Sequence, residues 1–229
     1  MLKFQQKEKK LKKYLETLKK CPLFDQIADN DLLRMLSCLG ARVVAFDKKY
    51  TILLEGSPAH HIGIVLSGAA QVVQLDYDGN RSILTELAPS ELFGEAFACA
   101  QVRAIPVSII ASEACEVMLI DCGHILHTCS NSCGFHQQLI YNLMKDLATK
   151  TLQFHQRMEV TSKRTTREKL LTYLSMQSKK VGSRRFEIPF DRQELADYLE
   201  VDRSGLSAEI RKLRREGILE SNKRLFELL

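Results

Sequence analysis

The stretch RQELADYLEVDRSGLSAEIRKLRREGIL, Arg192–Leu219, decides how the whole chain is read. Asp191 stands just before it with Glu194 three residues on, the pairing of a capping box, so a helix is predicted to begin here. Asp202 offers a second cap, and Gly217 falls just past the second helix, where a left-handed residue is wanted. Upstream, REKLLTYL (Arg167–Leu174) has the spacing of a short amphipathic helix. Downstream, ILESNKRLFELL (Ile218–Leu229) reads as two short strands about an Asn-Lys turn. Helix, tight turn, helix and hairpin together are the winged helix-turn-helix pattern.

On the second helix Leu206, Ile210 and Leu213 take the buried face, and Arg203, Ser204, Ser207 and Arg211 are displaced outward. The major groove admits one α-helix, whose N-terminal residues reach the base edges. Arginine suits guanine O6 and N7 bidentately, and serine serves several bases or a phosphate. Gly205 and Ala208 are small enough to let the backbone come close. Arg192 and Gln193, opening the preceding helix, are placed to hold a phosphate with its backbone N–H groups. The plainer alternative is a surface helix with assorted charges.

Charge is distributed to match. Residues 1–20 hold eight Lys against two Glu, residues 21–159 nine basic against fifteen acidic groups, and residues 160–229 sixteen basic against eleven acidic. A basic end module behind an acidic middle points to nucleic-acid contacts confined to the C-terminal part, although a solvated charged surface would look the same. The basic start has apolar residues (Leu11, Tyr14, Leu15, Leu18) at helical spacing and lacks the apolar run of a secretion signal. No stretch is long and apolar enough to predict a membrane span. Seven scattered cysteines do not suggest a disulfide framework, so cytoplasmic residence is the expectation.

Between these ends the period changes twice. Residues 41–121 combine β-branched residues in short runs with glycines at 56, 68, 79 and 94, and Asp78-Gly79 is a hairpin signal. Many short strands predict a roll or small barrel. From Phe135 to Met158 there is neither Pro nor Gly, and Ile140, Met144, Leu147, Thr151, Phe154 and Met158 fall at spacings of 4, 3, 4, 3 and 4. Such a narrow stripe predicts a helix that pairs with a helical partner, the alternative being a helix packed on its own roll. The fold class expected is α+β: residues 1–130 a β-roll with its N-terminal helix, 131–162 a dimerisation helix and hinge, 163–229 the winged module.

These motifs resemble, in order and over residues 21–229, the Crp/Fnr family of bacterial transcription regulators. RQELADYLEVDRSGLSAEIRKLRREGIL resembles that family's helix-turn-helix, FGEAFAC (Phe93–Cys99) its cyclic-nucleotide-binding-type roll, and TSKRTTREKLLTYL (Thr161–Leu174) its hinge. The resemblance implies a homodimer on a palindromic operator in double-stranded DNA, an unknown small-molecule effector held in the roll, and RNA polymerase as a partner if transcription is raised. No membrane partner and no resident cofactor are expected. Cyclic-AMP-binding members place Arg-Ser at a fixed distance after Gly-Glu. Here Gly94-Glu95 is present, but that place holds Ile105-Pro106, with Arg103 two residues early. An enclosed cyclic phosphate needs a fixed cation, so a less polar effector touching Gly94, Glu95, Val107, Ser108 and Phe154 is expected, the alternative being a filled structural core. The oxygen-sensing members' iron–sulfur ligand set is not met by Cys21 and Cys38 alone, and no histidine is placed as a haem ligand.

CGHILHTCSNSCGFH, Cys122–His136, packs three cysteines and three histidines into fifteen residues. Cys129 and Cys133, with His124 and His127 a turn apart, are metal or thiol-redox candidates. The same residues also suit an ordinary helix–turn–helix junction with Ser130, Asn131 and Ser132 as its turn and cap and buried thiols beside it. A rival class, a cupin-like metal enzyme on the roll, lacks support. His60-His61 are adjacent and would face opposite sides of a strand, and no catalytic triad, phosphate loop or HExxH motif is present. A nucleic-acid-binding protein without an effector remains the third reading, separable only by ligand-dependent DNA affinity.

Overall fold

A computed structural model describes residues 11–75, 81–126 and 134–229. These pack as two compact units, the first ending at Ala148 and the second beginning at Thr149.

The first unit opens with helix α1 (Leu15–Lys19), one 3-10 turn (Pro22–Phe24) and α2 (Asp29–Cys38). The basic surface of this segment is solvated while Leu11, Tyr14 and Leu18 are buried, as the amphipathic spacing requires. Eight strands follow: β1 (Arg42–Phe46), β2 (Thr51–Leu53), β3 (His61–Ser67), β4 (Ala70–Leu75), β5 (Arg81–Leu87), β6 (Leu92–Phe93), β7 (Ser108–Ala111) and β8 (Cys115–Asp121). A short α3 (Glu95–Cys99) interrupts them. They form two four-stranded antiparallel sheets, ordered β1-β8-β3-β6 and β2-β7-β4-β5. The Asp78-Gly79 turn lies outside the described residues, but β4 and β5, which flank it, pair antiparallel.

Strand β3 is buried along its central five residues, and its Gly63 permits this: a Cβ there would stand 2.0 Å from the Phe93 ring. Phe93, Val65, Ile109 and Val117 fill the roll between the sheets. A second cluster joins the outer face of β3 and β8 to α1, α2, α4 (Cys122–Leu126) and the start of α5 (Gly134–Thr161). There Leu139 and Leu143 are buried, and Asn142 donates to the carbonyls of Leu23 (3.0 Å) and Asp25 (2.8 Å).

The second unit holds the end of α5, then α6 (Thr166–Val181), β9 (Arg185–Glu187), α7 (Arg192–Leu199), α8 (Arg203–Arg215), β10 (Leu219–Asn222) and β11 (Leu225–Leu228). Helix α6 is twice as long as REKLLTYL suggests. It starts from its own Thr165/Glu168 capping box and ends on Gly182 at φ 71°. The predicted hairpin gains a third strand, since β9 pairs with β11 to give the order β10-β11-β9. Val160, Leu170, Tyr173, Leu195, Leu206, Ile210, Leu213 and Phe226 form one core, so the last turns of α5 belong to this unit's packing.

Candidate functional site

Helix α8 is fixed from both ends. At its start the Asp202 carboxylate accepts from the Gly205 N–H (2.8 Å) and from the Ser204 hydroxyl, and these bonds, the hydroxyl first, hold it below the usual carboxylate range. At its end Gly217 turns the chain at φ 70°. From behind, Arg167 of α6 reaches Glu216 (2.7 Å) and Glu209 (3.4 Å). Helix α7 enters through the Asp191/Glu194 capping box read from the sequence. The turn between the helices passes through Glu200, whose φ of 53° is unusual for a residue with a Cβ. Lys169 braces that turn by donating to the carbonyls of Leu199 (3.0 Å) and Glu200 (3.3 Å).

With Leu206, Ile210 and Leu213 buried, a rotation of about 100° per residue puts Ser204, Ala208, Arg211 and Arg215 on the opposite ridge, and all four are exposed. Arg203 stands exposed at the helix start. Ser207, expected outward, lies half-buried on the flank, because it sits about 100° from Leu206, at the edge of the packed face. The hydroxyl hydrogen of Ser204 is committed to Asp202, so its oxygen is offered outward as an acceptor.

Two cationic clefts adjoin the exposed side of α8, the first beside the ridge and the second opening on its C-terminal half. One, of about 840 Å³, lies where the start of α7 meets the start of α8 and the β10–β11 turn, and Arg192, Gln193, Arg203, Lys223 and Arg224 line it beside Asp191. The other, of about 660 Å³, is lined by Ala208, Arg211, Arg214, Arg215 and Glu220. Arg192 is half-buried, its guanidinium 5.7 Å from the Phe226 ring centre, and desolvation lowers its pKa from the ordinary value. One of its Nη atoms has no hydrogen-bond partner. Gln193 is exposed, with its side-chain amide donating to Asp197 (2.8 Å). Sequence reasoning missed Arg214, Arg215, Lys223 and Arg224. The i+4 spacing from Arg211 to Arg215 was available as a signal, whereas the placement of the hairpin turn against α7 is a matter of tertiary packing.

In the roll, Gly94 has φ 75°, and a Cβ there would come within 3.2 Å of the His61 carbonyl, which is why glycine precedes Glu95. Glu95 is buried at the start of α3, and Val107 and Ser108 are buried at the start of β7. The Ser108 hydroxyl accepts from the Glu55 N–H (3.0 Å). At the place where cyclic-AMP-binding members carry Arg-Ser, Ile105 is buried in the wall of the roll, Pro106 is exposed, and Arg103 points to solvent. Phe154 stands exposed on α5.

Of the cysteine- and histidine-rich stretch, His127, Cys129 and Cys133 lie outside the described residues. His124 Nδ1 is 3.1 Å from the Leu39 carbonyl and His136 Nε2 is 3.0 Å from the Ile125 carbonyl, so both rings brace backbone. Cys122 is buried against Cys99 with the sulfurs 3.7 Å apart. Burial, then the neighbouring thiol, pushes Cys122 up to about 12, so it is held as a thiol, a poor nucleophile. Among the described residues no three His, Cys, Asp or Glu side chains cluster as metal ligands, and no helix is long and apolar enough to cross a membrane.

Comparison with known proteins gives two family matches in the order the fold requires. Residues 43–132 match the cyclic nucleotide-binding domain, and residues 168–229 match the Crp-like helix-turn-helix domain. Over 52 residues the chain is 35% identical to a CRP-like cAMP-activated global transcriptional regulator of Mycobacterium tuberculosis, a match spanning 23% of this chain and 23% of that protein. The sensor domain of the transcriptional regulator DNR from Pseudomonas aeruginosa superposes with a TM-score of 0.51 at 20% identity, covering 63% of this chain and 90% of the other. The Thermus thermophilus catabolite activator protein superposes at 0.46 with 20% identity, covering 91% and 93%.

Proposed function

The chain belongs to the Crp/Fnr family of transcription regulators, and from that premise we propose that it works in the cytoplasm as a homodimer on a two-fold symmetric operator, its affinity for DNA set by an effector other than cyclic AMP. The observation that carries the reading is the outward ridge of α8 beside two arginine-lined clefts. Such a helix fits one major groove, with the start and middle of the ridge toward the bases and the arginines of the two clefts toward the bordering phosphate strands. Arg203 takes a guanine, Ser204 accepts from a base amine, and Arg192, Gln193, Arg211 and the wing residues Lys223 and Arg224 hold phosphate. Ser207, on the flank, serves the backbone.

The partner copy would lie along α5. Met144, Phe154 and Met158 are 58%, 63% and 49% exposed on the predicted seam and Thr151 is exposed beside them, whereas Ile140 is half-buried and Leu147 packs partly on the first unit's own core. Large apolar side chains left in water at heptad spacing support a paired helix. Residues 131–162 thus serve as the dimer helix and hinge between a sensor over 1–130 and the DNA-binding part over 163–229. Against cyclic AMP stands the place of the family's Arg-Ser pair, which here holds a buried, uncharged Ile105, with Arg103 exposed two residues before it. A small, less polar effector bound near Glu95, Val107 and Ser108 would bias two arrangements of the dimer by its differential affinity for them. If the regulator activates, RNA polymerase is the further partner.

Selection of duplexes from a randomised pool by the full-length protein tests this. The expected product is a palindrome with half-sites about one helical turn apart. No enrichment with any of a panel of metabolites, haem and nucleotides would overturn it. A thermal-shift series on the same protein should show no rise in melting temperature with cyclic AMP, since only a ligand that binds the native state raises it.

A further inference from the structure

We propose that Ala208 is a specificity-determining residue of α8 that takes the C5-methyl group of a thymine; the inference rests on the DNA-binding reading above. Ala208 stands at the middle of the exposed ridge, one turn after Ser204 and one turn before Arg211, and it lines the cleft bordered by Arg211, Arg214 and Arg215. Around it the ridge carries groups that can hydrogen-bond, so this is the point where the helix meets the groove floor with hydrocarbon alone.

A single methyl side chain has two consequences. First, it lets the α8 backbone come closer to the bases at this point than any longer side chain would. Gly205, exposed and without a side chain, adds to this. Second, it has neither donor nor acceptor. In the major groove guanine shows two acceptors, cytosine an amine and adenine an acceptor and an amine, while thymine alone shows an apolar group. An alanine pressed against any of the first three would strip water from polar edges and give nothing back, which is costly. Against thymine it buries methyl on methyl. With Arg211 assigned to phosphate in the reading above, the discrimination at this step falls to Ala208.

The test uses the full-length protein and the duplex selected from the randomised pool. Thymines of each half-site are replaced one at a time by deoxyuracil, which removes the methyl group and leaves the pairing edge intact. At one position the wild type should bind about fourfold more weakly per half-site, the worth of one buried methyl group. The A208G variant, with its fold checked by thermal melting, should bind the thymine and uracil duplexes equally. If no thymine matters in the wild type, or if the uracil penalty persists undiminished in A208G, the assignment to Ala208 is overturned while the DNA-binding reading stands. If no duplex is selected at all, both fall together.

Discussion

Replacing Phe154 by alanine separates a helix that pairs with a second copy from one that is simply wet on one side. Phe154 is 63% exposed in the single chain. Fully burying a phenylalanine side chain that was exposed contributes about 1.5–3 kcal/mol, so covering what remains open here is worth about 1–2 kcal/mol. A two-fold axis along α5 repeats the contact in both protomers. The dimer should therefore weaken by about 2–4 kcal/mol, or about 30- to 700-fold in dissociation constant at 1.4 kcal/mol per decade. The folded protomer should hardly notice, since a surface change of this kind usually costs within about 0.5 kcal/mol. Sedimentation equilibrium over a wide concentration range reads the first quantity, and thermal melting extrapolated to low concentration reads the second. A dissociation constant unchanged within about twofold would refute the seam, as would a wild-type chain that stays monomeric throughout. A large loss of protomer stability would place Phe154 in the chain's own core instead.

The DNA face separates into base and phosphate contacts by their different signatures. Arg203→Ala should cost about 1–3 kcal/mol and relax preference at one base position per half-site, whereas Arg211→Ala should weaken all sequences alike and reduce the salt slope by about 0.9 per protomer. Fluorescence anisotropy across a salt series distinguishes the two, and a uniform loss for Arg203→Ala would move it to the phosphate group. Acid should loosen the second unit through its helix caps. Glu168, Asp191 and Asp202 are all held below their ordinary values, by the Thr165 hydroxyl, by the Glu194 and Gln193 N–H groups, and by the Ser204 hydroxyl with the Gly205 N–H. The unfolded chain takes up protons first, so their contribution is whole above about pH 5 and is lost as pH falls through the unfolded and then the lower folded values. An E168Q/D191N/D202N variant should lose less stability than the wild type on acidification in thermal melts, and an equal loss would put the acid sensitivity elsewhere. Gly63→Ala should destabilise the roll by about 1–3 kcal/mol, since the new Cβ overlaps the Phe93 ring. F93L should recover part of that loss in a double-mutant melt, and simple additivity would mean the ring is not the obstacle.

The winged module was legible in the chain because the rules that make it act over short distances. A carboxylate three residues before its partner glutamate, a glycine just past a helix and apolar residues at i, i+4 and i+7 each specify a few consecutive dihedrals. They placed α7, α8 and the buried face of α8 correctly, with Asp191 and Asp202 as caps. The same local rules said less where packing decides. Ser207 lies about 100° round from Leu206, at the edge of the packed face, and the packed core leaves it half-buried on the flank rather than outward.

The order of elements, the caps, the sign of charge on the terminal module and the apolar stripe along α5 all follow from short runs of residues. Tertiary structure alone decided that Arg42 pairs with Leu119 across the first sheet, that β9 completes the second unit's sheet, and that Lys223 and Arg224 share a cleft with Arg192 and Arg203. Each of these joins residues far apart in the chain. Such contacts form only when the burial they share outweighs the entropy of closing the intervening loop, and no window of a few residues carries that balance.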